Sequence, residues 1–225
     1  MKKAGYIMLY RIFRVIIRFV IFLLNGHMVV LDKEKIPKGT FIMVAPHRTW
    51  WEPVLFAVAA SPMEFSFMAK AELFHKNPII TWILKNAHAF PVDRAHPGPS
   101  AVKTPINNLR KNNLSVIIFP TGTRYSSEIK GGAALIGRLA NVPLVPVVYQ
   151  GPLHFWGLLK RQKLIVGFGD PITVSRKGRF NDEEVDRIDK AMHDAWDTID
   201  NRINPDFVYV PDTHKAELEH EEGKL

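Results

Sequence analysis

Short apolar runs alternate with segments of helical periodicity along most of this chain. The apolar runs predict strands at residues 41–45, 65–69, 89–92, 115–119, 144–149 and 164–168. Helical spacing of apolar residues predicts helices at residues 51–60, 78–84, 105–111 and 133–140, and a last helix that starts at Asn181. Alternation of this kind is typical of α/β folds. We therefore expect a mixed, largely parallel sheet flanked by helices.

The ends of two helices carry recognisable start signals. Thr104 is the expected N-cap of the helix at 105–111, with Pro105 as its first residue. Asn181 and Glu184 have the spacing of a capping box at the start of the last helix. We expect a membrane-associating helix at residues 1–30, an α/β domain at 31–205, and an extended, flexible tail at 206–225.

The first 24 residues combine apolar side chains with Lys2, Lys3, Arg11, Arg14 and Arg18, and they contain no acid. The three arginines fall at i, i+3 and i+7, which places them on one face of a helix. Central arginines disfavour a transmembrane helix, and they interrupt the apolar region that a signal peptide needs. We therefore expect an amphipathic helix in the membrane interface, with its arginines toward anionic headgroups. A core helix whose arginines reach the surface is the alternative.

Composition narrows the possible chemistry. The chain has 225 residues, of which 47% are hydrophobic, so it can bury the core of one domain. It contains no cysteine, which excludes disulfides, a thiol nucleophile and thiolate metal sites. The net charge of +8 suits nucleic acid, an anionic membrane or a phosphorylated substrate. No basic and aromatic stacking motif supports nucleic acid, so we expect no nucleic-acid partner.

A histidine and a carboxylate stand five residues apart just after the first apolar run of the predicted sheet, in residues 45–52 (APHRTWWE). A neutral imidazole held by a carboxylate is a common general base near neutral pH. On a regular helix these two side chains would point about 140° apart, so they meet only if His47 precedes the helix. Pro46 favours such a bend. The alternative is a surface histidine beside the glutamate that starts a helix.

Candidate anion ligands follow three other predicted strands. Gly122, Thr123 and Arg124 follow the strand at 115–119, where glycine allows close approach and the two side chains offer donors. Arg94 and Lys70 also follow predicted strands. Each of these residues alone is an ordinary turn or surface residue. Ligand sites in open α/β sheets lie at the carboxyl ends of strands, and this shared position favours a binding site.

Searches for other catalytic motifs are negative. The chain has no Gly-x-Ser-x-Gly elbow, no Walker A sequence and no His-Glu-x-x-His. Its nine histidines show no metal-ligand spacing, so we expect neither a metal nor a cofactor.

Four sequence blocks stand in order along the chain. They are the pair His47 and Glu52, FPVDR at 90–94, FPTGTR at 119–124 followed by KGGAA at 130–134, and VPLVPV at 142–147. Together they resemble the glycerolipid acyltransferase family, in particular its bacterial members that acylate lysophosphatidate. The family has His-x-x-x-x-Asp, an apolar-Asp-Arg segment, Phe-Pro-Glu-Gly-Thr-Arg and a Val-Pro-rich strand in these places. The resemblance spans about residues 41–152.

The resemblance implies a reaction and a role for each residue. His47 would take the proton from the sn-2 hydroxyl of lysophosphatidate, and the oxygen would attack an acyl thioester while Glu52 orients the imidazole. Arg94 and Arg124 would bind the glycerol phosphate, with Lys70 as a further candidate and backbone donors at Gly122 and Thr123. The acyl donor would be acyl-CoA or acyl-carrier protein, and an apolar groove would hold the acyl chain. The enzyme would lie on the cytoplasmic face of the cell membrane as a peripheral or monotopic protein.

Two positions depart from the family pattern. Glu52 stands where the family usually has aspartate, and Thr121 stands where it usually has glutamate. Thr121 can still hydrogen-bond a glycerol hydroxyl but carries no charge. The alternatives are therefore another lysophospholipid or glycerol 3-phosphate as acceptor, or a non-catalytic protein that binds lipid or anions at the membrane.

Overall fold

The computed structural model describes residues 2–93, 96–122 and 129–210. Within these ranges the strands are β1 (Val29–Leu31), β2 (Ile42–Val44), β3 (Phe65–Lys70), β4 (Ala89–Val92), β5 (Ser115–Ile118), β6 (Leu144–Gln150) and β7 (Ile165–Phe168). The helices are α1 (Lys2–Asn25), α2 (Glu52–Ala59), α3 (Leu73–Lys76), α4 (Pro78–Asn86), α5 (Ser100–Lys111), α6 (Gly132–Ala140), α7 (Phe155–Leu159) and α8 (Asp182–Ile203).

These strands form one sheet in the order β1-β7-β6-β2-β5-β3-β4. Strands β6 and β7 pair antiparallel, and the other neighbouring pairs are parallel. The expected mixed, largely parallel sheet is confirmed. Strands β6, β2, β5, β3 and β4 run in one direction, so their carboxyl ends share one edge of the sheet.

Helices cover both faces of the sheet. One core contains the buried side of α2 and partly buried residues of α1 and α7. The other contains the buried sides of α5, α6 and α8. The central strand β2 contributes Met43 to the first core and Ile42 and Val44 to the second. A strand buried on both faces reads as a continuous apolar run, as it does in this sequence.

Most predicted elements lie within two residues of the observed ones. The Asn181 side chain accepts a hydrogen bond from the Glu184 N–H at 3.3 Å, so the predicted cap of α8 is confirmed. The predicted start at Pro105 is wrong, because α5 already begins at Ser100. Pro105 lies inside this helix and is buried together with Leu109, so packing compensates for the backbone hydrogen bond that proline cannot make.

Helix α1 lies against the domain through polar contacts on one side. Arg11 Nε donates to Glu64 Oε1 at 2.8 Å, and Arg14 donates to the carbonyl oxygens of Pro62 and Met63 at 3.1 and 2.9 Å. The buried Tyr10 hydroxyl accepts from the Phe65 N–H at 3.2 Å. Burial raises the pKa of Tyr10 to about 12, so this phenol stays protonated. The expectation that these arginines face headgroups is therefore wrong for Arg11 and Arg14.

The other side of α1 is apolar and open. Val15 is 67% exposed and Phe19 is 59% exposed. Among the described helices, none combines the length and the hydropathy that crossing a membrane would require.

Candidate active site

The loop that follows β2 places His47 at the centre of the carboxyl edge of the sheet. β2 lies between β5 and β6, with Val44 in register with Ile118 and Pro146. The loop then runs to Trp51, and Glu52 is the first residue of α2. His47 thus precedes the helix, as the five-residue spacing requires if the pair is to meet.

Glu52 is fully buried, and one of its oxygens organises the loop. Oε2 lies 3.1 Å from His47 Nδ1, and it accepts the backbone N–H groups of Arg48 at 2.8 Å and Thr49 at 3.0 Å. Because this oxygen already accepts two backbone N–H groups, we treat it as an acceptor for the ring as well and assign the His47 proton to Nδ1. In that tautomer Nε2 carries the lone pair and is the basic atom.

The His47 ring is also held by stacking. It lies on the Phe119 ring with centroids 4.0 Å apart and planes 26° apart, and 10% of its side chain is exposed. Phe119 directly follows β5, the neighbour of β2 in the sheet. The ring is therefore fixed by a carboxylate on one nitrogen and by an aromatic face, as a general base requires.

Glutamate at position 52 reaches the imidazole without loss of contact. The 3.1 Å separation from Nδ1 is an ordinary hydrogen-bond distance. Glu52 Oε1 is buried and has no hydrogen-bond partner among the described residues. One oxygen of the longer side chain therefore makes all three contacts.

Arg48 is part of the site and was not singled out by the sequence. Its side chain is 7% exposed, and it donates to the Tyr149 carbonyl at 2.8 Å and to Asp200 Oδ1 at 3.0 Å. A second contact joins Arg48 Nη2 to Asp200 Oδ2. Asp200 lies on α8, so no local sequence signal connects the two residues.

Those predicted anion ligands that the structure describes lie at the carboxyl edge of the sheet, as His47 does. Thr121 and Gly122 follow β5, and Lys70 is the last residue of β3. Lys70 is two strands from β2, a separation of about 10 Å. Arg94, Thr123 and Arg124 lie outside the described residues.

The backbone at Gly122 differs from the expectation that its N–H is free for a ligand. Gly122 has φ +71°, which glycine adopts easily, and its N–H donates to the Phe119 carbonyl at 2.9 Å. A Cβ at Gly122 would lie 3.8 Å from Lys130 Nζ. The turn at Gly122 therefore places the Lys130 ammonium beside residues 119–122, while the Gly122 N–H is already used within the turn.

An apolar cavity of about 390 Å³ lies between α1, β1 and the end of α2. Apolar side chains form most of its wall, and three basic residues join them, namely Arg18, His27 and Lys33. Ala59 in this wall ends α2, whereas Glu52 begins it. Since an eight-residue helix spans about 12 Å, the cavity lies about one helix length from the pair of His47 and Glu52.

Metal-ligating side chains are dispersed in the part of the chain that the structure describes, where no three His, Cys, Asp or Glu residues come together as a metal site.

Comparisons with known proteins identify the family. A model of the acyltransferase family matches residues 27–150. A 1-acyl-sn-glycerol-3-phosphate acyltransferase of Streptococcus pneumoniae is 42% identical over 195 residues, which are 86% of this chain and 74% of that protein. Its counterpart in Bacillus subtilis is 41% identical over 189 residues, or 82% and 94% of the two chains.

A solved structure has the same fold. The crystal structure of the 1-acyl-sn-glycerophosphate acyltransferase of Thermotoga maritima matches with a TM-score of 0.62 at 21% identity. The match covers 92% of this chain and 81% of the other. From the family model and the two bacterial relatives, the chain belongs to the acyltransferase family.

Proposed function

We propose that this protein transfers a fatty acyl group from an acyl thioester to the sn-2 hydroxyl of 1-acyl-sn-glycerol 3-phosphate, forming phosphatidate. The observation that carries the proposal is the buried pair of His47 and Glu52 at the carboxyl edge of the sheet, with Nδ1 and Oε2 3.1 Å apart. The relatives that share 41–42% of their residues with this chain are named for this reaction.

The His47 Nε2 lone pair takes the proton of the acceptor hydroxyl as its oxygen attacks the thioester carbonyl carbon. Glu52 stabilises the imidazolium that forms, because its buried carboxylate faces the charged ring. The carbon–sulfur bond then breaks, and the imidazolium returns the proton to the thiolate leaving group. The acyl group passes directly to the acceptor, so no acyl-enzyme is required in a chain without cysteine.

Cations at the carboxyl edge suit the acceptor phosphate. Lys70 ends β3, and Lys130, in the loop before α6, has its Nζ beside Gly122, whereas Arg94 and Arg124 remain predictions from the sequence. Thr121, buried just after β5, replaces a usual family glutamate with an uncharged hydroxyl. We propose that the phosphate is bound by these cations, and that the donor is acyl-CoA or acyl-carrier protein with no further cofactor.

The test is an assay of the purified protein with lysophosphatidate and each of the two donors. We expect phosphatidate and free thiol in equal amounts, because each transfer releases one thiol. Parallel reactions with lysophosphatidylcholine and glycerol 3-phosphate identify the acceptor. If no acceptor is acylated while vesicles still bind the protein, the non-catalytic alternative is correct.

We further propose that α1 and α4 together bind the cytoplasmic face of an anionic membrane. The α1–α4 apolar surface consists of exposed side chains on both helices, namely Met8, Ile12, Val15, Ile16, Phe19, Val20, Phe22 and Leu23 with Ile79, Ile80, Trp82 and Ile83. Phe13 and Trp82 make an edge-to-face contact with centroids 5.9 Å apart, so the two helices adjoin. Large contiguous apolar surfaces of this kind mark membrane or protein contacts.

Charge around this surface favours lipid as the partner. Exposed Lys76 precedes α4, and exposed Lys85 lies in its last turn. The exposed Arg18 has no hydrogen bond or ion pair with the described residues. Basic side chains beside an apolar helix face are typical of binding to anionic lipid surfaces.

Replacing Phe19 and Trp82 together by glutamate should release the protein from vesicles. Burial of an aromatic side chain contributes about 1.5–3 kcal/mol, so we expect the vesicle partition coefficient to fall more than about tenfold. Cosedimentation with vesicles that contain phosphatidylglycerol measures it. The control is Leu139→Glu, an exposed position of α6 on the opposite face of the sheet. Equal binding of the double variant and the control would contradict the proposed surface.

A further inference from the structure

The Arg48 guanidinium is held from three sides. The Tyr149 carbonyl and the Asp200 carboxylate accept its hydrogen bonds. The rings of Phe207 and Tyr209 lie 5.1 and 5.9 Å from the guanidinium carbon, within cation–π range. With only 7% of its side chain exposed, Arg48 needs this compensation, because an unpaired buried charge is strongly unfavourable.

Asp200 is itself fixed in place. The Gln150 amide donates to Asp200 Oδ1 at 2.7 Å and to the Asp200 carbonyl at 3.0 Å. Gln150 is buried and ends β6, beside the strand that leads to His47. The Asp200 carboxylate therefore links α8 to Gln150 at the end of β6 and to Arg48 in the loop after β2.

One helical turn before Asp200, α8 also contacts the end of β2, from which the loop with His47 continues. The Trp196 indole N–H donates to the Val44 carbonyl at 3.1 Å, and Val44 ends β2. Residues four apart share a face of a helix. One face of α8 thus supports the segment from Val44 to Arg48, which includes His47.

We propose that Asp200 is a positioning residue that acts on His47 through Arg48. The inference rests on the proposed acyl transfer. The Arg48 N–H donates to Glu52 Oε2 at 2.8 Å, so a displaced Arg48 disturbs both the carboxylate and the neighbouring histidine. Asp200 lies outside the matched family segment, which ends at residue 150, and it does not touch the catalytic pair.

Asp200→Asn removes the charge that holds Arg48 and keeps the shape of the side chain. A misplacement of about 1 Å in a catalytic site lowers the rate by about a hundredfold, so we expect kcat to fall about 10- to 100-fold. KM for lysophosphatidate should change less than about threefold, because Asp200 binds Arg48 and Gln150 and not Lys70 or Lys130, the proposed acceptor cations that the structure describes. Asp200→Glu should recover most of the lost kcat by restoring a carboxylate.

A double variant separates positioning from simple destabilisation. If Asp200 acts through Arg48, the variant Arg48→Gln with Asp200→Asn loses no more kcat than Arg48→Gln alone. Asn181→Ala is the stability control, because it removes the cap of α8 far from Arg48. Additive losses in the double variant, or equal kcat losses per degree of Tm in Asp200→Asn and Asn181→Ala, would overturn the inference.

One readout does not depend on activity. The His47 Nδ1 proton should give a downfield ¹H resonance that disappears in His47→Ala. We expect Asp200→Asn to shift or broaden this resonance and Asn181→Ala to leave it unchanged. An unchanged resonance in Asp200→Asn would refute the positioning role, whether or not the protein transfers acyl groups. If the resonance shifts in Asp200→Asn but the wild-type protein is inactive, only the proposed reaction is refuted.

Discussion

Replacing His47 with alanine is expected to lower kcat for acyl transfer by at least about a thousandfold. General acid–base catalysis contributes about 10²–10⁴ in rate, and in the proposed mechanism His47 both deprotonates the hydroxyl and returns the proton to the leaving thiolate. Vesicle binding should be unchanged, because His47 lies at the sheet edge and not on the α1–α4 apolar surface. Steady-state kinetics with a thiol-detecting reagent measures the loss.

The fold should survive this change. His47→Ala removes one stacking contact with Phe119 and one hydrogen bond to Glu52, while the two backbone donors to Glu52 remain. An aromatic pair contributes about 0.5–1.5 kcal/mol, so Tm should fall by only a few degrees. His154→Ala, at an exposed histidine just before α7, is the matched control. Near-wild-type turnover in the His47 variant would rule out the proposed mechanism.

Substitutions of Glu52 should lower kcat by amounts that depend on the charge and the length of the new side chain. Glu52→Gln keeps the size but removes the negative charge that stabilises the imidazolium, and we expect kcat to fall about a hundredfold. Glu52→Asp keeps the charge but withdraws it by one carbon–carbon bond, about 1.5 Å. Since the loop is anchored at Arg48, it cannot fully close that gap, and we expect a loss of about tenfold.

The order of kcat, with wild type above aspartate and aspartate above glutamine, is the result that counts. Glu64→Gln serves as the control, because Glu64 is a largely buried carboxylate that pairs with Arg11 and not with the site. Wild-type kcat in Glu52→Gln would show that the carboxylate does not orient or stabilise the ring. Higher kcat in Glu52→Asp than in wild type would show that the family's usual residue fits this loop better.

Patterns along the chain predicted the central part of the fold. Strand β4 is found at the predicted residues, and β2, β5 and β6 differ from their predicted bounds by one or two residues, because these buried strands are uninterrupted apolar runs. The pairing of His47 with Glu52 also followed from local information, since Pro46 and the five-residue spacing require a bend. Helices α3 and α7, of four and five residues, were not predicted, because they are too short to show a helical period. Strand β1 was also not predicted, because its three apolar residues closely follow the apolar helix α1.

Other features depend on contacts that no local pattern records. The orientation of α1 was predicted from its arginines alone, but Glu64 and the carbonyls of Pro62 and Met63 bind two of them. Helical position places arginines on one face and cannot tell whether protein or lipid lies opposite. Arg48 was overlooked for the same reason, since its partner Asp200 is 152 residues away.

The contact between Arg48 and Asp200 also sets an order of events during synthesis. The loop with His47 leaves the ribosome early, but the carboxylate that holds it follows 152 residues later, about 8–30 s at 5–20 residues per second. Likewise, β1 can pair with its parallel partner β7 only after β7 has been synthesised. A nascent chain therefore carries His47 long before it contains the carboxylate that we propose to position it, and full activity should require a completed α8.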